Sequence, residues 1–217
     1  MADGEPREPT QEGVETRDVI EEAAVDLFAR LGYHATSMRA IAEAAGIQPA
    51  AIYHWFPAKE SILIQLQNDF MERLTGAVTA AMAKVESPAL KLAAAVREHV
   101  VYHGLHTREA FVTDSEIRAL SGEAREALLE SRDAYQEMFR SLIVDGIAEG
   151  ELSTPDPAVA TYAILLQCTG VALWYQPDGA LALDRIAGLH IQLVLGSLRA
   201  ADSLIDEAVG LAAGRAT

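Results

Sequence analysis

An all-α fold is predicted by three features of the 217-residue chain. Ala and Leu dominate while aromatic residues make up only 6%, a balance that favours helix over strand. Apolar residues recur with a 3.6-residue period in one segment after another. No alternating strand pattern and no internal repeat interrupts them.

The first thirteen residues, MADGEPREPTQEG, are polar and carry Pro and Gly, so an arm is expected over 1–13. A stripe follows at Ile20, Ala23, Ala24, Leu27, Phe28 and Leu31. Thr16 suits its N-cap, Asp18 and Glu21 its positive end, and Gly32 its C′ position. Ser37 then caps a short helix that turns Ile41, Ala42 and Ala45 inward, and Gly46 supplies the positive φ of a tight turn. Pro49 opens a second short helix, where its missing N–H costs nothing. Two short helices joined through a Gly turn describe a helix-turn-helix.

The rest reads as further helices. Pro57 opens one running to about Val85, and Ser87-Pro88 caps the next, which carries His99, Tyr102, His103 and His106. A broken stretch passes Phe111 and Ile117. Ser121 starts a long helix ended by Gly150, Asp156-Pro157 caps one reaching Trp174-Tyr175, and Asp178-Gly179 turns into a last helix over roughly 181–207. About nine helices are expected.

Composition excludes several functions. Cys168 is the single cysteine, so no intramolecular disulfide and no Cys-based structural zinc site can form; it is expected to be a buried small hydrophobe. The acidic N-terminus has no apolar core of a signal peptide, and no stretch is expected to reach the 18 or so apolar residues that span a bilayer. The expectation is a cytoplasmic protein with no membrane partner. Seventeen Lys and Arg against 32 Asp and Glu give a net charge of −15, with −6 in residues 1–60. Any contact with DNA must therefore be local and geometric.

Residues 16–61 resemble the TetR family of bacterial transcriptional regulators. The resemblance is carried by Leu27-Phe28, Gly32-Tyr33, Ala35 through Ala42, Ala45-Gly46-Ile47, Ile52 through Phe56 and Lys59-Glu60; Trp55 departs from it, standing where a smaller ring or His is usual. It implies an N-terminal three-helix DNA-binding domain over 14–61 and a C-terminal helical ligand-binding and dimerisation domain over 62–217. It implies a dimer on a palindromic double-stranded DNA operator, released by a small apolar effector.

The second helix of such a motif enters the major groove N-terminus first. Here that end is Gln48-Pro49-Ala50-Ala51. Gln48 can pair with adenine, and the Ala methyls can touch thymine methyls. Tyr53 and His54 reach toward phosphates, and Ser37, Met38 and Lys59 lie at helix starts that suit phosphate oxygens. Arg39 fits a base or a phosphate.

In the C-terminal half the apolar surface exceeds what one buried face needs. In the resembling family the last two helices form a four-helix dimer bundle, which points to Ala163, Gly170, Ile186, Leu189, Leu193 and Ser197 as homodimer contacts. The passage Leu173-Trp-Tyr-Gln-Pro177-Asp-Gly179 is similar to one in family members that respond to acyl-CoA thioesters. That similarity implies an apolar tunnel lined by Tyr102, Phe111, Tyr135, Phe139, Tyr162 and Trp174, with His99 and His103 among its polar lining. Arg118, Arg125 or Arg132 would meet an anionic head group. A regulator of efflux or other catabolic genes answering to an unrelated lipophilic ligand fits the same residues.

His99, His103 and His106 share one helical face and invite a second class of reading, a metal-dependent enzyme, since two His at i, i+4 can chelate Zn or Ni. No Glu lies between them, and neither a paired nucleophile nor a Gly-rich phosphate loop accompanies them. The expectation is no enzyme, no metal and no cofactor.

Overall fold

The computed structural model describes residues 11–214. Among these the chain forms eleven α-helices and one 3₁₀ turn: α1 Gln11–Leu31, α2 Met38–Ala44, α3 Ile52–Trp55, α4 Lys59–Met82, α5 Pro88–Leu105, α6 Thr107–Ser115, a 3₁₀ turn Glu116–Ala119, α7 Gly122–Ala148, α8 Pro157–Thr169, α9 Val171–Trp174, α10 Leu183–Ser197 and α11 Asp202–Ala212. The expected arm over 1–13 lies largely outside the described residues. Its last three positions already belong to α1, so Thr16 is inside the helix rather than its cap.

The local stop and start signals act as their chemistry dictates. The Ser37 hydroxyl accepts from Ala40 N–H at 3.1 Å, Ser87 from Leu90 N–H at 3.3 Å, and the Asp156 carboxylate from Ala158 and Val159 N–H at 2.8 and 3.1 Å. Each satisfies donors that a helix start leaves open. The α5 start has a second acceptor: Glu151 takes the Ala89 N–H and the Ser87 hydroxyl, both at 3.0 Å. That bond ties the end of α7 to the start of α5.

Helix α5 is the pillar of the sensor half, packed by α4, α7, α8, α10 and α11. Ala89, Leu92, Ala93, Ala95, Val96, His99, Val100, His103 and Gly104 are all buried along it. At Gly104 a Cβ would collide with the Leu183 side chain of α10, which would have to shift to admit one. Helix α4 is shared by both halves. Its first turn closes the three-helix head, and its remainder lies along α5.

Two expected helices are broken. The last one stops at Ser197 and restarts at Asp202. Between them Arg199 adopts φ +57°, at a cost of about 1–2 kcal/mol for a residue with a Cβ. A tertiary bond holds the break: the Ser153 N–H donates to the Leu198 carbonyl at 2.7 Å. The helix expected over 157–175 divides at Gly170 into α8 and α9.

Pro157–Trp174 also overturns the expectation about apolar length. These 18 residues have a mean hydropathy of 1.4, long and apolar enough by composition to cross a membrane, and only 22% of them are buried. The division at Gly170 leaves α8 with 13 residues, about 20 Å of helix against a hydrocarbon core of about 30 Å. Its exposed apolar face therefore calls for a protein surface.

Candidate DNA-reading surface and effector site

Helix α2 ends on Gly46, whose φ of +70° lets the Ile47 N–H return to the Ala42 carbonyl at 3.0 Å. The chain then turns through Gln48-Pro49-Ala50-Ala51, closed by Ala51 N–H on the Gln48 carbonyl at 2.8 Å. Ile52 and Phe56 are buried and anchor α3. Gln48, Pro49, Ala50, Ala51, Tyr53 and His54 are exposed together. Tyr53, at 57% exposure, is not a core residue.

The rim around this edge is mixed. Ser37 and Arg39 are exposed, and Met38 is half-buried against the core. Arg39 meets Glu43 at 2.7 Å in an open pair, which solvent screens strongly. Lys59 does not offer a free cation. Its Nζ donates to the Tyr33 and Thr36 carbonyls at 2.6 and 2.7 Å and sits 4.2 Å from the centre of the Tyr33 ring. Burial lowers its pKa, and Glu116 opposes that shift. Two of its three ammonium protons are thus engaged in a clamp between α4 and the α1–α2 turn.

That clamp meets a second one. The Tyr33 N–H donates to Glu116 Oε1 at 3.2 Å, across 83 residues of sequence. Arg108 of α6 meets Asp26 of α1 at 3.1 Å, and Asp26 also takes Arg30 at 2.9 Å. The head is thus bonded to α6 and the 3₁₀ turn of the sensor half.

In the sensor half the His99 ring is fully engaged. Its Nδ1 lies 2.9 Å from the Tyr135 hydroxyl and its Nε2 3.0 Å from Thr169 Oγ1. His103 stacks on it with ring centres 4.1 Å apart, its Nδ1 donating to the His99 carbonyl at 2.9 Å. Burial holds the His99 pKa well below the ordinary histidine value, helped by His103 and His190. Burial likewise lowers His103, raises Tyr135 well above its usual range, and pushes the Cys168 thiol up to about 12. Both imidazoles are therefore neutral, and neither nitrogen of His99 is free for a metal. Among the described residues no group of three His, Cys, Asp or Glu is placed to hold one.

Phe139 and Tyr135 pack beside these rings in a tilted pair, with centres 5.3 Å apart, and Tyr102 lies half-buried against Phe70 at 5.2 Å. The tunnel set does not assemble beyond this. Phe111, Tyr162 and Trp174 are exposed, Tyr162 by 60% and Trp174 by 52%; on α8 the buried face is Thr161, Ile164 and Cys168, which turns Tyr162 outward. In the dimer set Ile186 is core at 2% exposure, while Leu189 and Gly170 are half-buried. Ala163, Leu193 and Ser197 remain on the surface, where Val159, Tyr162, Leu166 and Leu173 join them.

Sequence reasoning passed over Gln67 and Thr113, and named Arg132 only as one of three candidates for an anionic head group. The Gln67 Nε2 donates to the Thr113 carbonyl at 2.9 Å, and Arg132 Nη2 donates to the same oxygen at 2.9 Å. One signal was available, since Gln67 interrupts the apolar stripe of Leu63, Leu66, Phe70 and Leu74.

A compact helical head with one exposed reading edge, bonded to an all-helical sensor, defines a DNA-binding regulator with a separate effector domain. Residues 20–66 match the family model for bacterial regulatory proteins of the tetR family, and 85–198 match the tetracyclin repressor-like C-terminal domain. The chain belongs to the TetR family: it is a transcriptional regulator that binds operator DNA as a dimer. It is 27% identical over 202 residues to the HTH-type transcriptional repressor KstR2 of Mycolicibacterium smegmatis, covering 91% of this chain and 96% of that one. It is 29% identical over 133 residues to the fatty acid metabolism regulator protein of Bacillus subtilis, covering 61% of this chain and 69% of that one. A tetR-family regulatory protein structure from Rhodococcus RHA1 superposes with a TM-score of 0.81 at 27% identity, covering 87% of this chain and 99% of that one.

Proposed function

We propose that this chain is a cytoplasmic repressor whose dimer leaves its operator when an acyl-CoA thioester enters each sensor domain. The observation that carries the reading is the direct bonding of the head to the sensor, Tyr33 to Glu116 and Asp26 to Arg108. A ligand that favours a different setting of α6 and the 3₁₀ turn then changes the separation of the two reading heads, and only such differential affinity can move the equilibrium. Gln48, Pro49, Ala50 and Ala51 meet base edges, and Ser37, Met38, Arg39, Tyr53 and His54 meet backbone. The role is regulatory rather than catalytic. The similarity to the fatty acid metabolism regulator protein of Bacillus subtilis supports a fatty-acyl effector.

The second copy seats on Val159, Tyr162, Ala163, Leu166, Leu193 and Ser197. The exposed apolar residues of α8 and α10, Leu166 at 76% and Leu193 at 61% exposure, support this face. Electrophoretic shift against the chain's own upstream DNA tests the function. Tight binding at dimer stoichiometry, released by decanoyl-CoA or a longer acyl-CoA, is the expected result. Binding that no acyl-CoA disturbs overturns the effector, and a Leu166→Glu, Leu193→Glu chain that still sediments as a dimer overturns the face.

A further inference from the structure

Gln67 is fully buried on α4, and its orientation is fixed by its partner. The Thr113 carbonyl can only accept, so the amide nitrogen must face it at 2.9 Å and Oε1 must face away. That Oε1 is buried with no partner. Arg132 on α7 donates to the same carbonyl, with Nη2 at 2.9 Å, and its Nε–H is likewise buried without a partner. Two donors already fill the two lone pairs of the Thr113 oxygen, so it can help neither atom. Leaving a buried polar atom unmatched costs about 1–3 kcal/mol, and folded proteins seldom tolerate it without cause. Here an unmatched acceptor and an unmatched donor belong to two side chains that share one carbonyl.

The surroundings decide what completes the pair. The guanidinium charge is already compensated, because Nη1 and Nη2 both reach Asp114 Oδ1, at 3.0 and 3.1 Å. A carboxylate or phosphate would meet Asp114 as well as Arg132, and it has no proton to give to Gln67 Oε1. The neighbouring wall is aromatic: the Phe70 ring lies 5.4 Å from His103 and 5.2 Å from Tyr102. His103 is neutral through burial and contributes no charge.

We infer that Gln67 and Arg132 form the polar end of the effector site, and that they receive an uncharged group that both donates and accepts a hydrogen bond, a secondary or primary amide or a hydroxyl. The ligand's N–H or O–H goes to Gln67 Oε1 and its oxygen accepts from Arg132 Nε. The inference rests on the effector reading above and sharpens it: in an acyl-CoA the amides of the pantetheine arm have this character, whereas the phosphates do not. Arg132 is thereby a selector for a neutral group, which revises its expected role beside Arg118 and Arg125 as a partner for an anionic head.

The test uses the full-length dimer and four ten-carbon probes, titrated calorimetrically: decanamide and 1-decanol, which donate and accept, and methyl decanoate and decanoate, which only accept. Wild type is expected to bind decanamide and 1-decanol about tenfold tighter than the other two, one hydrogen bond's worth at 1.4 kcal/mol per decade. Gln67→Met, which keeps the side-chain length, is expected to abolish that preference, and Arg132→Lys, which keeps the charge beside Asp114, to weaken it. Equal binding of all four probes overturns the inference, as does a preference that survives Gln67→Met. Failure of every probe to bind also overturns it, since the pair then holds a resident water. Operator release by decanoyl-CoA is read separately. If release fails while the decanamide preference holds, the acyl-CoA reading falls and this inference stands.

Discussion

The head and the sensor treat polar side chains in opposite ways. Over Gln48–His54 the functional groups stand in solvent, backed by a small core of Ile52 and Phe56. In the sensor, Gln67, His99, His103 and Thr113 are all buried and find their partners across helices, or fail to find them. A surface that must meet a large, rigid, charged duplex needs exposure and a fixed backbone. A site that must enclose a small molecule needs desolvated groups whose bonds are completed only on binding. The two halves therefore respond differently to substitution.

The largest effect belongs to the sensor. His99→Ala removes a ring bonded on both nitrogens, orphans the Tyr135 hydroxyl and Thr169 Oγ1, and opens a cavity. A loss of about 3 kcal/mol or more is expected in denaturant unfolding, and a loss below about 1 kcal/mol would erase the contrast. Tyr53→Ala is the complementary change. With the ring exposed, thermal stability and dimer mass should hold, while operator affinity drops about a hundredfold, a tenfold loss for each half-site. Fluorescence anisotropy on the operator reads it, and unchanged affinity would remove Tyr53 from the reading surface.

The third effect is pH dependence, and it too separates the halves. His99 and His103 titrate below the ordinary histidine value of 6.5 in the folded chain. The unfolded chain therefore binds protons first as pH falls, so stability is full above about 6.5 and declines below it, by up to about 1.4 kcal/mol per pH unit for each residue. Thermal unfolding between pH 7 and 5 should show the decline, and His103→Gln should make it shallower. An equal slope in that variant would assign the effect to other groups. The smallest effect lies at the junction. Glu116→Ala should cost about 1 kcal/mol of stability yet raise the effector concentration needed for operator release; an unchanged release curve would mean that the Tyr33–Glu116 bond carries no coupling.

Legibility in the sequence followed the range of the interaction. Ser37, Ser87-Pro88, Asp156-Pro157 and Gly46 act within four residues of themselves, so their spacing was enough to place the helices and the turn. The break after Ser197 has no local breaker in Leu198-Arg-Ala-Ala; it depends on the Ser153–Leu198 bond, which no local pattern encodes. The Lys59 clamp was not legible because its carbonyl partners lie 23 and 26 residues earlier. Tyr162 and Trp174 were drawn into a tunnel by residue type, whereas helical phase decides: Thr161, Ile164 and Cys168 define the inward face of α8, and Tyr162 is one step off it. Ile186 shows the same limit, since the apolar α10 offered two stripes and only packing says which is inside.

The junction at Tyr33 has a consequence for how such a molecule can diverge. Its N–H goes to Glu116 and its carbonyl to Lys59, so residue 33 takes part through atoms that every amino acid except proline possesses. A different side chain at 33 leaves these main-chain bonds available, and what it puts at stake is the buried ring's packing on Phe28 and its contact with the Lys59 ammonium. The reading edge is thus free to drift toward new operators while the wiring to the sensor, written in main-chain atoms on one side, persists unchanged.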